Sequence, residues 1–416
     1  MKTVGIIAEY NPFHNGHLYQ MSEAKRITGA DYCVIVMSGN FTQRGTPALL
    51  DKYSRCEMAL RAGADLVIEL PVCYATASAE FFAKGSVAIL DKLHVDSLCF
   101  GSECGEIAPL QTAATILANE SDDFKNKLKQ KLKDGMSYPS ARSQTMAECY
   151  GKYQSKSLSI DEALLNTPNN ILGIEYLKAL YLRGSNMETY TIKRKGSGYL
   201  DTELSDTKYC SALAIRKHLS ENKDSTQLHD FLPESCLDII NQKRENGYPL
   251  FTDDFSSMLY YRLLSLQNDG FQSFFDVSNF LSDKILKNLD SYGSYTKFSN
   301  ELLKSKDLTQ TRINRCLLHI LLNIKKSDLT AYVIGGDVFY ARILGFRKDS
   351  QSLFTQLKKE ELPLLTKLAD ADKILSRVGL SMLHQDIFAA HLYEGVAAQK
   401  TGRPIENEYR RQIVII

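Results

Sequence analysis

The first hundred residues alternate short apolar runs of β-forming residues with segments of helical character. The predicted strands are VGIIAEY, DYCVIVMS, DLVIELP and VDSLCFG, and the predicted helices between them cover His17–Ile27, Asp51–Ala62 and Ala75–Leu93. Strands of continuous Val, Ile and Leu character that are spaced by helices are typical of a parallel sheet covered on both faces. The crossovers of such sheets are nearly always right-handed. The pattern therefore predicts an α/β domain of the Rossmann-like type.

The remainder of the chain is predicted to be largely helical. Residues 106–182 have helical character, after which the strand-like METYTIKRK returns, followed by the helical run CSALAIRKHL. Beyond residue 227 helices are predicted almost throughout, with one candidate strand near Thr330. A chain of 416 residues is long enough for two or three domains. We therefore predict a Rossmann-like domain over residues 1–226, with a helical insertion near 106–182, and a mostly helical domain over residues 227–416.

Composition narrows the class of protein. The formal net charge is +1, so any contact with a nucleic acid must come from local basic patches. The nine cysteines are odd in number and form no C-x-x-C pair, which is typical of reduced thiols. The sequence contains no apolar stretch near the roughly 18 to 20 residues of a membrane span, and its start is too polar for a signal peptide. We therefore expect a soluble cytoplasmic protein with no membrane partner and no obligate protein partner.

Two histidines follow the first predicted strand. His14, Asn15, Gly16 and His17 lie where this strand leads into the first helix, at the sheet edge where ligands of such folds bind. A helix start offers unpaired N–H groups to a triphosphate, and two imidazoles three residues apart can donate to its oxygens. Gly16 removes a side chain that would block a nucleotide, and Pro12 stiffens the approach. The motif predicts catalysis by the two histidines; helix caps or surface histidines are the alternative interpretation.

The residues around this motif resemble a known family. GIIAEYNPFHNGHLYQ, with SGNFTQRG, ELP and FGSE, is similar to the bacterial tRNA(Met) cytidine acetate ligases of the H-x-G-H nucleotidyltransferase superfamily. The resemblance runs through the whole chain. It implies an α/β, Rossmann-like H-x-G-H nucleotidyltransferase domain with a parallel sheet and a mostly helical C-terminal domain. It also implies an enzyme that activates acetate with ATP as acetyl-AMP and transfers the acetyl group to N4 of the wobble cytidine of elongator tRNA(Met).

The resemblance further implies which residues bind ATP, a substrate that carries Mg²⁺ with it. The implied residues are Ile7, Ala8, Glu9, Tyr10, Asn11, Pro12, Phe13, His14, Asn15, Gly16, His17, Leu18, Tyr19, Gln20, Gly101, Asn169 and Arg194. From their positions alone, Gly101 can also be a turn glycine, Asn169 a helix cap and Arg194 part of a solvated basic patch. We expect no metal bound by the protein, because the sequence contains no H-E-x-x-H motif or Cys/His cluster.

Three more residues are candidate phosphate contacts, namely Lys195, Ser211 and Arg216. Ser211 and Arg216 match the second motif of the superfamily, a Ser/Thr-rich helix start that ends in Ile-Arg, although Leu213 stands where many members have threonine. A polar segment after the second strand is expected at the same sheet edge, and its members are Ser38, Gly39, Asn40, Gln43 and Arg44. Arg44 is either a substrate or phosphate contact or a surface charge.

Local basic clusters are candidate tRNA surfaces. They are the run Lys125–Lys133, the pair Arg347 and Lys348, and the tail residues Arg403, Arg410 and Arg411. A solvated face is the alternative for each cluster. Two other functions stay open, an adenylyltransferase for a small metabolite and a nucleotide-sensing protein without catalysis. The long helical C-terminal region argues against the first, and the intact His14 and His17 argue against the second.

Overall fold

Eight strands form one mixed sheet in the computed structural model, which describes residues 1–134, 136, 138–150, 162–195, 204, 208–221, 225–304, 308–357 and 362–416. The strands are β1 (Thr3–Ala8), β2 (Tyr32–Ser38), β3 (Leu66–Leu70), β4 (Ser97–Ser102), β5 (Glu188–Lys193), β6 (Ala341–Phe346), β7 (Leu364–Leu365) and β8 (Val414–Ile415). Their order across the sheet is β5-β4-β1-β2-β3-β6-β7, and β8 pairs with β6. Strands β1 to β5 are mutually parallel, whereas β6 runs antiparallel to β3.

Helices cover this sheet and make up most of the second half of the chain. In the first half they are α1 (Asn15–Thr28), α2 (Lys52–Arg61), α3 (Val72–Ala75), α4 (Ala79–Lys92), α5 (Ile107–Ala118), α6 (Asp122–Lys133), α7 (Tyr138–Tyr150), α8 (Glu162–Asn166), α9 (Pro168–Arg183) and α10 (Ala212–Ser220). In the second half they are α11 (Glu234–Arg244), α12 (Ser256–Leu266), α13 (Asn279–Asn288), α14 (Tyr295–Leu303), α15 (Gln310–Leu321), α16 (Lys326–Ile334), α17 (Gln351–Leu357), α18 (Ala371–Ile374) and α19 (Arg377–Thr401). None of these described helices combines the length and apolar character that crossing a membrane requires.

The predicted α/β alternation is confirmed, and local chemistry explains where its elements begin and end. The side chain of Asp51 accepts hydrogen bonds from the first backbone N–H groups of α2 at 3.0 Å, which fixes the helix start. Helix α1 ends at Gly29, whose φ of 64° suits glycine because it lacks a β-carbon. The first four strands are almost wholly buried, as their continuous apolar character predicts.

The second half of the chain differs from its prediction in its strands, because the one that was expected is absent from the described residues and β6, β7 and β8 were not expected. The strand expected near Thr330 is wrong, because this segment lies in α16, where Leu329 and Tyr332 are buried three residues apart on one helical face. Conversely, β6 was not predicted, since Arg342 interrupts its apolar run. The guanidinium is tolerated because it is paired inside the protein. Three strands from beyond residue 227 thus join the sheet, and the division after residue 226 stays a prediction.

A cluster of four buried charges joins α2, β3 and β6 to the end of the chain. Lys52 Nζ lies 2.8 Å from Glu69 Oε2 and 2.6 Å from Glu408 Oε1. Arg342 lies 3.3 Å from Glu69 and 2.5 Å from Glu408, and all four side chains are at most 5% exposed. Burial opposes ionisation of Glu408, but the two cations outweigh it and lower its pKa to about 2. The cluster therefore sets two basic side chains against two acidic ones.

Candidate active site

His14 and His17 lie together at the start of α1, at the carboxyl end of β1. Each ring accepts a hydrogen bond from the backbone of this helix start. Gly16 N donates to His14 Nδ1 at 3.0 Å, and His14 N donates to His17 Nδ1 at 3.3 Å. The two rings are stacked, with centroids 3.7 Å apart and an interplanar angle of 22°. The motif thus contains a capping box in which both caps are histidines, so the helix-cap role is real and coexists with their place in a pocket.

These hydrogen bonds set the protonation of both imidazoles. A ring nitrogen that accepts a hydrogen bond carries no proton, so the proton of each neutral ring lies on Nε2. Burial and the nearby charges of Arg194 and Arg216 lower the pKa of His14 to about 3. Burial, followed by the charges of His14 and Arg194, lowers the pKa of His17 well below its usual range. Near neutral pH the pair therefore presents two neutral Nε2–H donors.

Gly16 is needed for a reason that differs from the predicted one. A β-carbon at this position would lie 2.8 Å from Cε1 and 3.0 Å from Nδ1 of the His14 ring. The first effect of a side chain would thus be to displace the His14 imidazole, before any nucleotide is considered. Gly16 also lines a small pocket beside the histidines, so room for a ligand remains a second reason.

The loop from β1 to α1 is packed tightly behind the histidines. Tyr10 is 1% exposed, has a φ of 47°, and places its ring edge against those of Phe13 and His17 at centroid distances of 4.8 and 4.9 Å. A positive φ is unusual for a bulky residue, and such backbone conformations concentrate at functional sites. Asn15 anchors the helix start elsewhere, because its backbone and side chain donate to the carbonyls of Phe231 and Asp230 at 2.9 Å each.

A buried arginine that the sequence analysis missed organises the same sheet edge. Arg55 is fully buried and donates to four backbone carbonyls, those of Glu9 at 2.6 Å, Ser38 at 3.0 Å, Leu50 at 3.0 Å and Gly39. It therefore joins the ends of β1 and β2. Nothing in the sequence marks it, because a charged residue in an amphipathic helix is usually interpreted as facing solvent. Ser38 and Gly39 are structural members of this network.

The loop after β2 has a buried base and a tip that reaches the pocket. Asn40 belongs to the base, since its side-chain oxygen accepts from Lys52 N at 2.8 Å. Gln43 and Arg44 form the tip and line the pocket with the histidines. The backbone of the tip is held in place, because Gln43 N donates a hydrogen bond to Glu9 Oε1 at 2.8 Å. Only the tip of the predicted polar segment therefore contributes side chains to the site.

Gly101 and Asn169 do not have the alternative roles that their positions allowed. Gly101 lies within β4, paired with Ile192, so it is not a turn glycine. A β-carbon there would lie 3.4 Å from Arg194 Cγ, in ordinary van der Waals contact with that side chain. Asn169 is not the cap of α9, which is Thr167; its side-chain nitrogen instead donates to Glu103 Oε1 at 2.6 Å. Both residues line the pocket.

The cationic side of the pocket comes from β5 and α10. Arg194 follows β5, with its backbone N–H donating to Ser102 O at 3.0 Å. Arg216 donates to Asn11 O at 2.8 Å and so holds the loop before the histidines. Ser211 caps α10 by accepting from Ala214 N at 3.0 Å, and it also lines the pocket, as does Leu213 in place of the expected threonine.

The pocket has about 950 Å³ of open space, including its mouth, and brings together most of the predicted residues. Those that line it are Ile7, Ala8, Glu9, Tyr10, Asn11, His14, His17, Gln20, Gly101, Asn169, Arg194, Ser211 and Arg216. An adjoining pocket shares the two histidines and adds Gly16, Tyr19 and Lys195, whose ammonium lies 4.2 Å from the Tyr19 ring centroid. Four of the predicted residues line neither pocket, namely Pro12, Phe13, Asn15 and Leu18. They pack or form hydrogen bonds behind the histidines. Which of these residues touch ATP stays a prediction.

Most predicted basic clusters are partly neutralised by neighbours. In α6, Lys127 pairs with Asp123 at 2.7 Å and Lys131 with Glu148 at 2.7 Å, while Lys129 is exposed. The other described ion pairs of these clusters join Lys125 to Asp122, Arg347 to Asp349, Arg403 to Glu394, and Arg411 to Asp51 and Glu406. Arg411 also stacks on the Tyr53 ring at 4.9 Å, so it stabilises the chain end. An RNA role for any cluster stays a prediction.

A Rossmann-like sheet with two histidines and glycine at the first helix start defines a nucleotidyl transferase. The model of the HIGH Nucleotidyl Transferase family matches residues 1–408. The tRNA(Met) cytidine acetate ligase of Acetivibrio thermocellus is 40% identical in sequence, and the alignment covers both chains fully. The ligase of the same name from Clostridium novyi is also 40% identical, over 88% of this chain and 90% of the relative. The chain therefore belongs to the HIGH nucleotidyl transferases and, within them, to the tRNA(Met) cytidine acetate ligase family.

Solved structures agree with this assignment. The chain is similar to the crystal structure of Thermotoga maritima TmcAL bound with alpha-thio ATP, with 32% sequence identity and a TM-score of 0.91. The superposition covers the full length of both chains. The apo form of the same protein gives a TM-score of 0.92 with the same identity and coverage. The predicted fold class and family are thus confirmed.

Proposed function

We propose that this protein is an ATP-dependent tRNA(Met) cytidine acetate ligase. It activates acetate as acetyl-AMP and transfers the acetyl group to N4 of the wobble cytidine of elongator tRNA(Met). The observation that carries the proposal is the stacked pair of neutral histidines, whose Nδ1 atoms are occupied and whose Nε2–H groups line a pocket with Arg194 and Arg216. The full-length similarity to relatives of that name supports the choice of acid and acceptor.

In the first step an oxygen of acetate attacks the α-phosphorus of ATP, and the bond from that phosphorus to the bridging oxygen of pyrophosphate breaks. Acetate needs no general base, because carboxylates titrate near ~4 and are ionised at neutral pH. The protein must therefore position the reactants and stabilise charge. His14 and His17 donate to the α-phosphate, and Arg194 and Arg216 offset the charge of the phosphates. The pyrophosphate that leaves would also be neutralised in part by Mg²⁺ if ATP carries this ion into the site.

In the second step the exocyclic amine of cytosine attacks the acetyl carbon of the mixed anhydride. The N–C bond forms, AMP leaves, and the amine loses one proton to solvent. The activated acyl donor is needed because the lone pair of this amine is delocalised into the ring. A wobble base is accessible, since anticodon loops present unstacked bases that proteins can splay out. The exposed lysines of α6, including Lys129, are the proposed contacts for tRNA phosphates.

Activation is expected to proceed without tRNA, because every residue assigned to the first step belongs to this chain. Labelled pyrophosphate should exchange into ATP when acetate is present and tRNA is absent. Exchange that requires tRNA would contradict the two-step scheme. ATP consumption that is independent of acetate but requires a small metabolite would instead favour an adenylyltransferase.

A further inference from the structure

One wall of the pocket is built from four bulky side chains on three elements. This aromatic wall consists of Phe82 from α4, Phe100 from β4, and Leu172 and Tyr176 from α9. The Phe100 and Tyr176 rings meet edge to face at 5.7 Å, and both residues are almost completely buried, as is Phe82. Such a surface gives a ligand apolar contact. The phosphate chemistry described above makes no use of it.

The aromatic wall is held rigidly. Helix α9 approaches the Phe100 ring so closely that a β-carbon on Gly173 would lie 2.4 Å from Phe100 Cε2. Helices α4 and α9 are also joined by Lys178, whose Nζ lies 3.0 Å from Glu80 Oε1. Neither the ring nor the two helices can therefore withdraw cheaply to enlarge the pocket.

The tip of the loop after β2 presents two polar side chains to the same pocket. This hairpin tip, Gln43 and Arg44, is closed by a bridge between Phe41 and Pro47. Gly45 follows with a φ of 74°, and a β-carbon on it would lie 2.3 Å from the backbone nitrogen of Arg315 in α15. The hairpin tip is thus wedged against a helix and presents an amide and a guanidinium in a fixed place.

A second, smaller pocket beside the histidines offers additional space for ATP. The adjoining pocket shares His14, His17 and Arg194 with the larger one and extends past Gly16 and Tyr19. Part of ATP can therefore extend into it while the α-phosphate stays at the histidines. The hairpin tip and the aromatic wall together give the larger pocket one cation, one amide and four bulky side chains of mainly apolar character, beside the polar lining that includes Glu9, Asn169 and Arg216. This is the chemistry that recognises a small carboxylic acid with an alkyl end.

We propose that the acid substrate lies between the hairpin tip and the aromatic wall, with Gln43 and Arg44 orienting its carboxylate and the wall excluding acids longer than acetate. This inference rests on the proposed function and deepens it, because it names the residues that select the acid. One methylene that does not fit an apolar pocket changes specificity by about 10- to 200-fold. A longer acid would lose this much because the wall does not move aside to admit an extra methylene.

The test measures acid-dependent pyrophosphate exchange with acetate, propionate and butyrate in the full-length protein without tRNA. Phe82→Ala and Leu172→Ala should each raise the rate with butyrate relative to acetate by about tenfold or more. Leu172 is only half-buried, so Leu172→Ala is expected to fold even if Phe82→Ala does not. The matched control is Phe81→Ala, because Phe81 lies next in α4 but packs on Phe275 at 5.2 Å and lines neither pocket.

The carboxylate contact is tested with Arg44→Gln. It should raise the KM for acetate at least tenfold, because a charge-assisted hydrogen bond is lost, and leave the KM for ATP unchanged. If Phe82→Ala and Leu172→Ala raise the KM for ATP and keep the preference for acetate, the wall binds the nucleoside and the inference is wrong. If Arg44→Gln changes neither KM, the inference is also wrong. If the wild-type protein shows no acetate-dependent exchange, the proposed function itself fails, which is a different outcome.

Discussion

Replacing either His14 or His17 with alanine is expected to lower acetate-dependent pyrophosphate exchange by at least about 100-fold. Each substitution removes one of the two Nε2–H donors that we propose to act on the α-phosphate. The rings are neutral already, as the pKa of about 3 for His14 indicates, so the loss is one of oriented donors and not of positive charge. Exchange rates at saturating ATP and acetate measure the effect.

The fold should survive these substitutions. His14→Ala also removes a helix cap, which costs about 1 kcal/mol and leaves a protein of this size folded. The unfolding midpoint in urea should therefore fall only slightly. The control is His384→Ala, because His384 is an exposed histidine on α19 outside both pockets of the site. Exchange within tenfold of wild type in either active-site variant would refute the assignment of the two histidines.

Replacing Lys52 with methionine is expected to lower the free energy of unfolding by about 3 to 5 kcal/mol. Methionine keeps most of the side-chain volume, so the change isolates the charge. It leaves Glu69 and Glu408 buried with only Arg342 to neutralise them. Removing one partner of a buried pair is costly because the remaining charge stays desolvated. Urea unfolding at pH 7 measures the difference.

The matched control for this change lies in the same helix. Arg61→Ala breaks an ion pair with Glu57, 2.7 Å apart on the exposed side of α2. Surface pairs are worth about 0 to 1 kcal/mol, so the control should be nearly neutral. If Lys52→Met costs no more than the control, the four-charge cluster does not hold β6 and the chain end to the sheet.

Periodicity and motif position were sufficient to predict the first half of the fold and the centre of the site. Strands β1 to β4 are continuous apolar runs, and the histidine motif follows β1 directly, so both depend on neighbours in sequence. The topology of the fold then brings Arg194 and Arg216 to the histidines. In the sequence, Arg194 was indicated only by the family resemblance and Arg216 only by a short motif.

The features that were missed depend on contacts between residues distant in sequence. Strand β6 contains Arg342, which is compatible with a buried strand only because Glu69 and Glu408 lie beside it. Arg55 acts through four carbonyls that no local pattern indicates. The aromatic wall assembles from three elements, so its members look like ordinary core residues in the sequence.

The proposed reaction joins acetate to a tRNA cytidine. The most direct test incubates the purified protein with ATP, isotopically labelled acetate and transcribed elongator tRNA(Met), followed by mass spectrometry of the tRNA nucleosides. We predict labelled N4-acetylcytidine at the wobble position, and none when that cytidine is replaced by uridine or when ATP is omitted. Unmodified tRNA together with robust acetate-dependent pyrophosphate exchange would contradict the proposed function, because the acetyl group would then go to another acceptor.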